Sequence, residues 1–171
     1  IGSAVLFIVY VPVLLVTSVM VKLSSKGPIF YKQERVGKDG KKFMLYKFRT
    51  MVIDAEEQTG PVLASENDQR ITKVGKFLRV TRMDELPQIF NVLAGQMSLV
   101  GPRPEREHFV KIHKALRGLR LAVKPGLTGL AQIRSAYDLH PLHKIKYDYI
   151  YIQRRSLWLN LYILVKTIPV V

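Results

Sequence analysis

Two adjacent acids, Asp84 and Glu85, lie in a stretch rich in arginine and proline and could perform chemistry on phosphate groups. Pro87 suits the first turn of a helix that begins at these acids, and Gly95 suits its end. Apolar residues at the spacing of one helical face support this helix: Leu86, Ile89, Phe90 and Leu93. A helix N-terminus carries partial positive charge and unpaired N–H groups, so it can hold an ionised carboxylate beside an anionic phosphate. The pair therefore predicts a phosphate-transfer site.

A plainer interpretation is that Asp84 only caps a helix and that Glu85 only complements the helix dipole. The neighbouring arginines argue against it, because Arg79 and Arg82 precede the pair and Arg103 follows between two prolines of fixed φ. A guanidinium presents a planar fork of donors that fits phosphate oxygens, and a rigid backbone lowers the cost of aiming it. We therefore predict that these three arginines bind phosphate.

Sequence patterns outline the elements that must position these residues. Aromatic and β-prone runs on either side of Asp39-Gly40 predict a hairpin over residues 30–51. Its second strand ends at Lys47 and Arg49, which are further candidates for phosphate binding. A short helix predicted over residues 72–80 directs Arg79 toward the acids.

Two longer helices are predicted farther along the chain, over residues 105–120 and 141–155. The first has an inner face at Phe109, Ile112, Leu116 and Leu119. Between the two helices, residues 124–129 predict a turn-forming loop whose glycines let backbone N–H groups approach a phosphate. Lys124 in this loop and Gln88, which shares a predicted helix face with Asp84, complete the candidate substrate-binding residues.

The composition limits the classes of function. A chain of 171 residues suffices for one domain with a core but hardly for two. The excess of 27 Lys+Arg over 13 Asp+Glu gives a net charge of +14, which favours nucleic acid, a membrane surface or a phosphorylated substrate as partner. The absence of cysteine excludes disulfides, zinc-thiolate sites and thiol nucleophiles. A metal must then be bound by oxygen or histidine, and the four histidines show no ligand spacing.

Residues 1–21 contain no charged side chain and, as a helix, match the roughly 30 Å hydrocarbon core of a bilayer. Pro12 lies in the middle of this run and predicts a bend. The sequence leaves open a kinked spanning helix and a helix that returns to the face it entered. Basic residues from Lys22 onward place the next segment on the cytoplasmic side in either case.

The C-terminal segment, residues 157–171, is apolar and carries a broad stripe formed by Leu157, Leu161, Leu164 and Ile168 with Trp158, Tyr162 and Val165. Aromatic residues near the edge, preceded by Arg154 and Arg155, favour an amphipathic helix in the lipid headgroup layer. The same stripe would also suit a helix packed on a protein core, so this alternative stays open.

Five motifs occur in order along nearly the whole chain. They are Tyr46-Lys47-Phe48-Arg49-Thr50-Met51, Asp84-Glu85-Leu86-Pro87-Gln88, Asn91-Val92-Leu93, Met97-Ser98-Leu99-Val100-Gly101-Pro102-Arg103-Pro104 and Lys124-Pro125-Gly126-Leu127-Thr128-Gly129. Together they closely resemble the bacterial sugar transferase family, the monotopic polyprenyl-phosphate phosphoglycosyl transferases. The acidic insertion over residues 54–68 resembles the larger members of this family, of which the chain would be the catalytic core.

The resemblance implies a membrane-bound enzyme that transfers a phospho-sugar from a UDP-sugar to undecaprenyl phosphate, releases UMP and initiates a glycan such as exopolysaccharide or O-antigen. It implies that Asp84 is the nucleophile, that Asp84 and Glu85 bind Mg²⁺, and that the N-terminal helix is re-entrant and bent at Pro12. Family members commonly carry serine before this proline, whereas Val11 stands here. Our hypothesis is a two-step displacement through an aspartyl phospho-sugar intermediate.

The expected fold is α+β and mostly helical, with a small β-hairpin and amphipathic interfacial helices. Residues 1–23 form the re-entrant membrane helix, and residues 24–171 form one catalytic domain on the cytoplasmic face of the bacterial inner membrane. The expected partners are a UDP-sugar, undecaprenyl phosphate and membrane lipids, without nucleic acid, and a homo-oligomer is compatible with the sequence. Glucose, galactose and N-acetylated sugars remain open as the transferred group.

Two alternatives to this enzyme remain. One is a membrane-anchored basic module that binds nucleic acid or acidic lipids without catalysis, which would explain the net charge but not the two acids. The other is a membrane diphosphatase, which would not need a lipid acceptor. UMP release that depends on polyprenyl phosphate would distinguish the transferase from both.

Overall fold

A computed structural model describes residues 2–53, 55, 68–134 and 141–167, with side chains described from residue 11 onward except at 141–143. The described chain is α+β and mostly helical, as predicted. Its helices and strands are α1 (Gly2–Ser24), β1 (Phe30–Val36), β2 (Lys42–Phe48), α2 (Lys73–Val80), α3 (Ile89–Leu93), β3 (Ser98–Val100), α4 (Glu107–Ile112), β4 (Gly126–Thr128), α5 (Leu130–Arg134), α6 (Pro141–Gln153) and α7 (Leu157–Thr167). Short 3₁₀ turns lie at Lys38–Gly40, Met83–Gln88, Lys114–Leu116 and Gly118–Ala122.

The chain divides into two compact units. The first consists of Ile1–Lys32 and Tyr46–Pro87, and the second of Gln33–Leu45 and Gln88–Val171. The β1–β2 hairpin therefore contributes its base to the first unit and its tip to the second. The predicted boundary after residue 23 stays a prediction.

α1 continues through Pro12 without interruption. Proline removes one backbone hydrogen bond from a helix. Beyond Pro12, the hydroxyl of Thr17 donates to the carbonyl of Val13, four residues earlier in the same helix, at 2.7 Å. By length and hydropathy, none of the helices in the described part of the chain qualifies as a membrane span. A re-entrant path is not shown either and stays a prediction.

The first unit packs α1, the base of the hairpin and α2 around one apolar cluster. Its buried members are Val21, Phe48 and Leu78. Thr72 caps α2, since its Oγ1 accepts a hydrogen bond from the N–H of Gly75 at 2.9 Å, which confirms the predicted helix. Gly75 lies so close to the carbonyl of Thr50 that a Cβ would overlap it. The glycine therefore permits α2 to pack directly on the chain that follows β2.

The second unit contains a parallel pair of strands, in which Ser98 of β3 lies opposite Gly126 of β4 and Val100 lies opposite Thr128. Most of its buried apolar residues form three clusters: Val36, Val110, Leu116 and Ile145; Val100, Leu130, Tyr151 and Ile163; and Phe43, Leu45 and Met97. The helices α4 to α7 therefore share cores with both pairs of strands.

Elements with strong local signals are confirmed. In the hairpin turn, Asp39 and Gly40 have φ values of 57° and 74°, the left-handed conformation that favours an Asp-Gly pair. α6 confirms the helix predicted over residues 141–155. α7 confirms a C-terminal helix, and most of its predicted stripe is exposed: Leu157, Trp158, Leu161, Tyr162 and Val165.

The apolar face predicted after the acids is confirmed for Ile89, which is buried, and for Leu86, which packs against the core of the first unit, but it is wrong for its other two residues. Phe90 and Leu93 are exposed, whereas Asn91 is completely buried. The amide of Asn91 donates to the carbonyl of Met44 at 2.7 Å and to Oε1 of Gln96 at 2.8 Å. These hydrogen bonds fix which side of α3 faces inward, and the apolar spacing does not contain them.

The single helix predicted over residues 105–120 is also wrong. α4 ends at Ile112, because His113 is extended. Gly118, with a φ of 66°, interrupts the remainder of the predicted helix. Of the predicted inner face, Phe109 and Leu116 reach the core, whereas Ile112 and Leu119 are exposed. Arg120 is buried instead, at 6% exposure.

The segment 124–129 is not an open loop, because β4 occupies its centre. The N–H of Gly126 donates to the carbonyl of Pro102, and the N–H of Gly101 donates to the carbonyl of Thr128, both at 2.9 Å. A Cβ on Gly126 would overlap the backbone of Gly101. Gly126 thus lets two backbone segments approach each other. Its N–H is used within the protein, so the prediction that this N–H binds phosphate is wrong.

The acidic insertion over residues 54–68 lies outside the described residues except for Ala55 and Asp68. A hydrogen bond from Arg70 holds the pKa of Asp68 at about 2. The part of the C-terminal stripe at Ile168 also lies outside the described residues.

Candidate active site

Asp84 and Glu85 lie in the 3₁₀ turn Met83–Gln88, which follows α2. Arg82 leads into this turn with a φ of 56°, a left-handed conformation that costs a non-glycine residue about 1–2 kcal/mol. The N–H of Glu85 donates to the carbonyl of Arg82 at 3.1 Å and closes the first bend. Backbone strain of this kind, directly before two acids, is characteristic of functional sites.

The prediction that an α-helix begins at Asp84 is wrong. Asp84 lies in the 3₁₀ turn, and α3 begins only at Ile89. Pro87 lies inside the turn and restricts the residue before it to conformations outside a regular α-helix. A short 3₁₀ turn aligns few peptide dipoles, so its macrodipole is small. The positive charge that faces the acids must therefore come mainly from side chains.

Lys47 supplies this charge from the end of β2. Its Nζ donates to Oε1 of Glu85 at 2.7 Å and lies 3.8 Å from Oδ2 of Asp84. The three side chains are only 10–16% exposed, so solvent screens them weakly. The lysine holds Glu85 by a direct hydrogen bond and contributes a longer-range attraction to Asp84. The two acids therefore have different environments within one cluster.

Arg79 lies near the end of α2 in the same unit. Its Nε donates to Oγ1 of Thr50 at 2.9 Å, and Thr50 is itself buried. This bond fixes one edge of the guanidinium and so limits the directions in which its terminal nitrogens point. Thr50, the hydrogen-bond partner of Arg79, was not among the predicted site residues, although a polar residue directly after a predicted strand was the available signal.

Arg49 has a structural role in the first unit. Its guanidinium donates to the carbonyls of Ser25, at 2.8 Å, and of Lys26. Gly27 lies against the same guanidinium with a φ of 124°. These contacts hold the segment after α1 on the end of β2, and the assignment of Arg49 to phosphate stays a prediction.

Gln88 ends the 3₁₀ turn and is 2% exposed. Among the described residues its Nε2 has no hydrogen-bond partner. An amide donor that is buried without a partner costs free energy, which a ligand oxygen would recover. This observation agrees with the predicted substrate-binding role of Gln88 without testing it.

Arg103 and Lys124 belong to the second unit. Arg103 is partly exposed between the buried residues Pro102 and Pro104, whereas Lys124 is exposed two residues before β4. By side-chain contact, the structure therefore brings together Lys47, Asp84 and Glu85, and the backbone of Arg82 bonds to that of Glu85. The phosphate-binding roles of the arginines and of Lys124 stay predictions.

Asp84 and Glu85 fit the chemistry of a magnesium site. Within the described ranges no group of three or more potential protein ligands occurs, so a cage made only of protein side chains is not present there. Mg²⁺ commonly uses one or two carboxylates and takes its remaining ligands from water and substrate phosphates. Two adjacent, largely buried carboxylates meet this requirement.

Comparison with known proteins agrees with the motifs. The profile of the family described as Bacterial sugar transferase matches residues 1–171. A UDP-glucose:undecaprenyl-phosphate glucose-1-phosphate transferase from Klebsiella pneumoniae is 48% identical over 97% of this chain and 37% of its own length. A UDP-N-acetylgalactosamine-undecaprenyl-phosphate N-acetylgalactosaminephosphotransferase from Aeromonas hydrophila is 45% identical over 92% of this chain and 38% of its own length.

A shorter relative, the exopolysaccharide production protein ExoY from Rhizobium meliloti (strain 1021), is 36% identical over 99% of this chain and 81% of its own length. The chain thus spans little more than a third of the Klebsiella and Aeromonas relatives but most of this one. The family match includes Lys47, Asp84, Glu85 and all five motifs. The chain belongs to the bacterial sugar transferase family.

Proposed function

We propose that this chain transfers a phospho-sugar from a UDP-sugar to undecaprenyl phosphate and releases UMP, as the first step in the synthesis of an exopolysaccharide or O-antigen. The observation that carries the proposal is the largely buried cluster of Lys47, Asp84 and Glu85. Relatives that match more than nine-tenths of the chain are named as transferases of sugar phosphates to undecaprenyl phosphate. The cluster supplies the carboxylate and the cation that this chemistry requires.

The proposed reaction has two displacements at one phosphorus atom. In the first, a carboxylate oxygen of Asp84 bonds to the β-phosphorus of the UDP-sugar, the bond to the bridging oxygen breaks, and that oxygen leaves with UMP. In the second, a phosphate oxygen of undecaprenyl phosphate bonds to the same phosphorus, and Asp84 leaves as a free carboxylate. No redox step or additional reactant is needed.

The unequal contacts of Lys47 support Asp84 as the nucleophile. Glu85 is engaged by the lysine at 2.7 Å, whereas Asp84 lies 3.8 Å away and is held less tightly by it. Glu85 then orients the lysine and shares the binding of Mg²⁺ with Asp84. When bound, Mg²⁺ would offset negative charge on the diphosphate as UMP leaves. Arg79 and Arg103, with Arg82 and Lys124, would contact phosphate oxygens.

We also propose that the chain works at the cytoplasmic face of the bacterial inner membrane, with α1 re-entrant and bent at Pro12. The exposed apolar residues of α1 support contact with lipid: Leu15, Val16, Val19 and Leu23. α7 supports it independently, because Trp158 is 80% and Leu157 is 71% exposed on one helix. Exposed aromatic and aliphatic residues behind a pair of arginines are typical of helices in the interface.

The decisive experiment measures UMP release from a panel of UDP-sugars with undecaprenyl phosphate and Mg²⁺. We expect release with one sugar or a few, dependent on the lipid, and a sugar-phosphate adduct on Asp84 detectable by mass spectrometry when the lipid is omitted. Asp84→Asn should abolish both, whereas Glu85→Gln should lower turnover severely. Asp39→Asn is the control, because it removes an exposed acid in the hairpin turn and keeps a residue that tolerates its left-handed φ. Full activity of Asp84→Asn would exclude the nucleophile proposed here.

A further inference from the structure

Hydrogen bonds from other parts of the second unit hold the backbone of the segment Gly101–Glu105 along its whole length. The carbonyl of Pro102 accepts from the N–H of Gly126 at 2.9 Å, and the carbonyl of Glu105 accepts from the N–H of Val36 at 3.0 Å. The prolines at 102 and 104 have no N–H, so the carbonyls are the main groups by which this part of the chain can be fixed. Neighbouring strands thus hold both ends of the segment.

Two guanidinium groups hold its centre. Nη2 of Arg120 donates to the carbonyl of Arg103 at 2.7 Å, and Nη1 of Arg35 donates to the carbonyl of Pro104 at 3.1 Å. Every carbonyl from Pro102 to Glu105 therefore accepts a hydrogen bond from another part of the second unit. Arg103 itself is partly exposed while both neighbouring prolines are buried.

Arg120 is fixed in turn by Asp148 of α6. Its Nε donates to Oδ2 of Asp148 at 2.7 Å, and the two side chains are only 5% and 4% exposed. Nη2 also lies 3.5 Å from Oε1 of Glu105. Burial raises the pKa of Asp148, which reflects the cost of removing this carboxylate from water. Buried ion pairs contribute little net stability. The main effect of this pair is therefore to orient the guanidinium of Arg120 toward the carbonyl of Arg103.

We propose that Arg120 and Arg35 are positioning residues that act through Arg103, because their guanidinium groups fix the backbone from which its side chain extends. The inference rests on the proposed function, in which Arg103 contacts a phosphate oxygen of the substrates. A rigid mount reduces the freedom that Arg103 loses when it binds phosphate. Misplacement of a binding group by about 1 Å can cost roughly 10²-fold in rate, so small movements of this segment matter.

Arg120→Lys is the most direct test. A lysine can still pair with Asp148, but it lacks the two separate nitrogens, Nε and Nη2, with which Arg120 reaches Asp148 and the carbonyl of Arg103 at the same time. We expect a fall in kcat/KM for UMP release of roughly tenfold in the otherwise natural protein. In an Arg103→Ala background the same substitution should change kcat/KM by less than about twofold, because its target is already absent. Arg117→Lys is the matched control, since Arg117 bonds the carbonyls of Val110 and Lys111 in the same unit.

Hydrogen exchange supplies a readout that does not depend on activity. The amides of Gly126 and Val36, which donate to the carbonyls of Pro102 and Glu105, should exchange about tenfold faster in Arg120→Lys, while those of α6 remain protected. If Arg120→Lys does not fold, Arg35→Lys tests the other guanidinium by the same measurements. Unchanged exchange, or equal losses of activity with and without Arg103, would overturn the positioning role. Absence of UMP release by the unmodified protein would overturn the proposed function itself, which separates the two failures.

Discussion

At the scale of single residues, one lysine makes two neighbouring acids chemically different. Lys47 is within hydrogen-bonding distance of Glu85 but more than 1 Å farther from Asp84. All three side chains are largely buried, so their mutual charges act with little screening by solvent. This asymmetry supports the proposal that Asp84 attacks the phosphorus while Glu85 assists.

Replacement of Lys47 tests this asymmetry. Lys47→Met keeps much of the side-chain volume but leaves two carboxylates without their cation, and we expect UMP release to fall by roughly 10²-fold. Lys47→Arg should retain more activity, because it restores the charge with different geometry. Steady-state kinetics would show this, with Lys32→Met as control because Lys32 is an exposed lysine that lies over the ring of Tyr46. Unimpaired turnover in Lys47→Met would remove the lysine from the mechanism.

The proposed binding of Mg²⁺ also depends on single residues, Asp84 and Glu85. Two adjacent carboxylates leave most positions around Mg²⁺ for water and phosphate, so binding to the protein alone should be weak. We expect chelation by EDTA to stop UMP release within the time of mixing and added Mg²⁺ to restore it. The concentration of Mg²⁺ that restores half the rate should rise in Glu85→Gln. A rate that is insensitive to EDTA would exclude the metal role given to these acids.

At the scale of elements, the backbone of α2 sets the position of Arg79. Gly75 allows α2 to lie directly on Thr50, whose side chain in turn accepts the hydrogen bond from Arg79. In the first unit, α2 therefore contacts Thr50 twice, through the packing of Gly75 and through the hydrogen bond of Arg79. A change in the spacing between α2 and Thr50 should move the guanidinium.

Gly75→Ala changes that spacing. Its Cβ would overlap the carbonyl of Thr50, so we expect a loss of stability of about 1–3 kcal/mol and a parallel loss of UMP release. Thermal unfolding of the purified protein measures the first effect. Lys76→Ala, on the exposed side of the same helix, should leave the melting temperature nearly unchanged or slightly raised. A stable and fully active Gly75→Ala variant would show that the packing has more room than the structure indicates.

The sequence predicted those elements whose signals are local. The Asp39-Gly40 turn, the Thr72 cap and the apolar spacing of α6 each occur within a few residues, and each is found in the structure. The elements that were mispredicted depend on distant partners. The inward side of α3 depends on Asn91 and Met44, which are 47 positions apart, and Arg120 is buried by an acid 28 positions away. Periodicity contains no information on such pairs.

The candidate site follows the same division. The identity of the acids and of the nearby cations could be predicted, because residue type and order carry the chemistry. The 3₁₀ turn could not, because it requires Arg82 to adopt a left-handed conformation that its residue type does not favour. Thr50 was missed for a related reason, since its role exists only once α2 lies on it.

At the scale of the whole chain, a net charge of +14 and exposed apolar residues would act on the same partner, the membrane proposed above. Positive charge attracts the anionic lipids of a membrane over about one Debye length, roughly 10 Å at 0.1 M salt. Apolar side chains that enter the interface add an attraction that salt does not screen. Binding to vesicles should therefore have a salt-sensitive and a salt-insensitive component.

Trp158 allows the second component to be measured directly, because it is the sole tryptophan of the sequence and is 80% exposed on α7. If α7 lies in the interface, vesicles that contain phosphatidylglycerol should shift Trp158 emission to shorter wavelength, and brominated acyl chains should quench it. The double substitution Leu157→Glu and Val165→Glu should weaken binding at high salt more than tenfold, since each buried aliphatic side chain contributes about 1.5–3 kcal/mol. Ile112→Glu is the control, because Ile112 is similarly exposed at 58% but lies at the end of α4. Emission that does not change with vesicles, or equal effects of the substitutions on α7 and α4, would show that α7 does not enter the lipid.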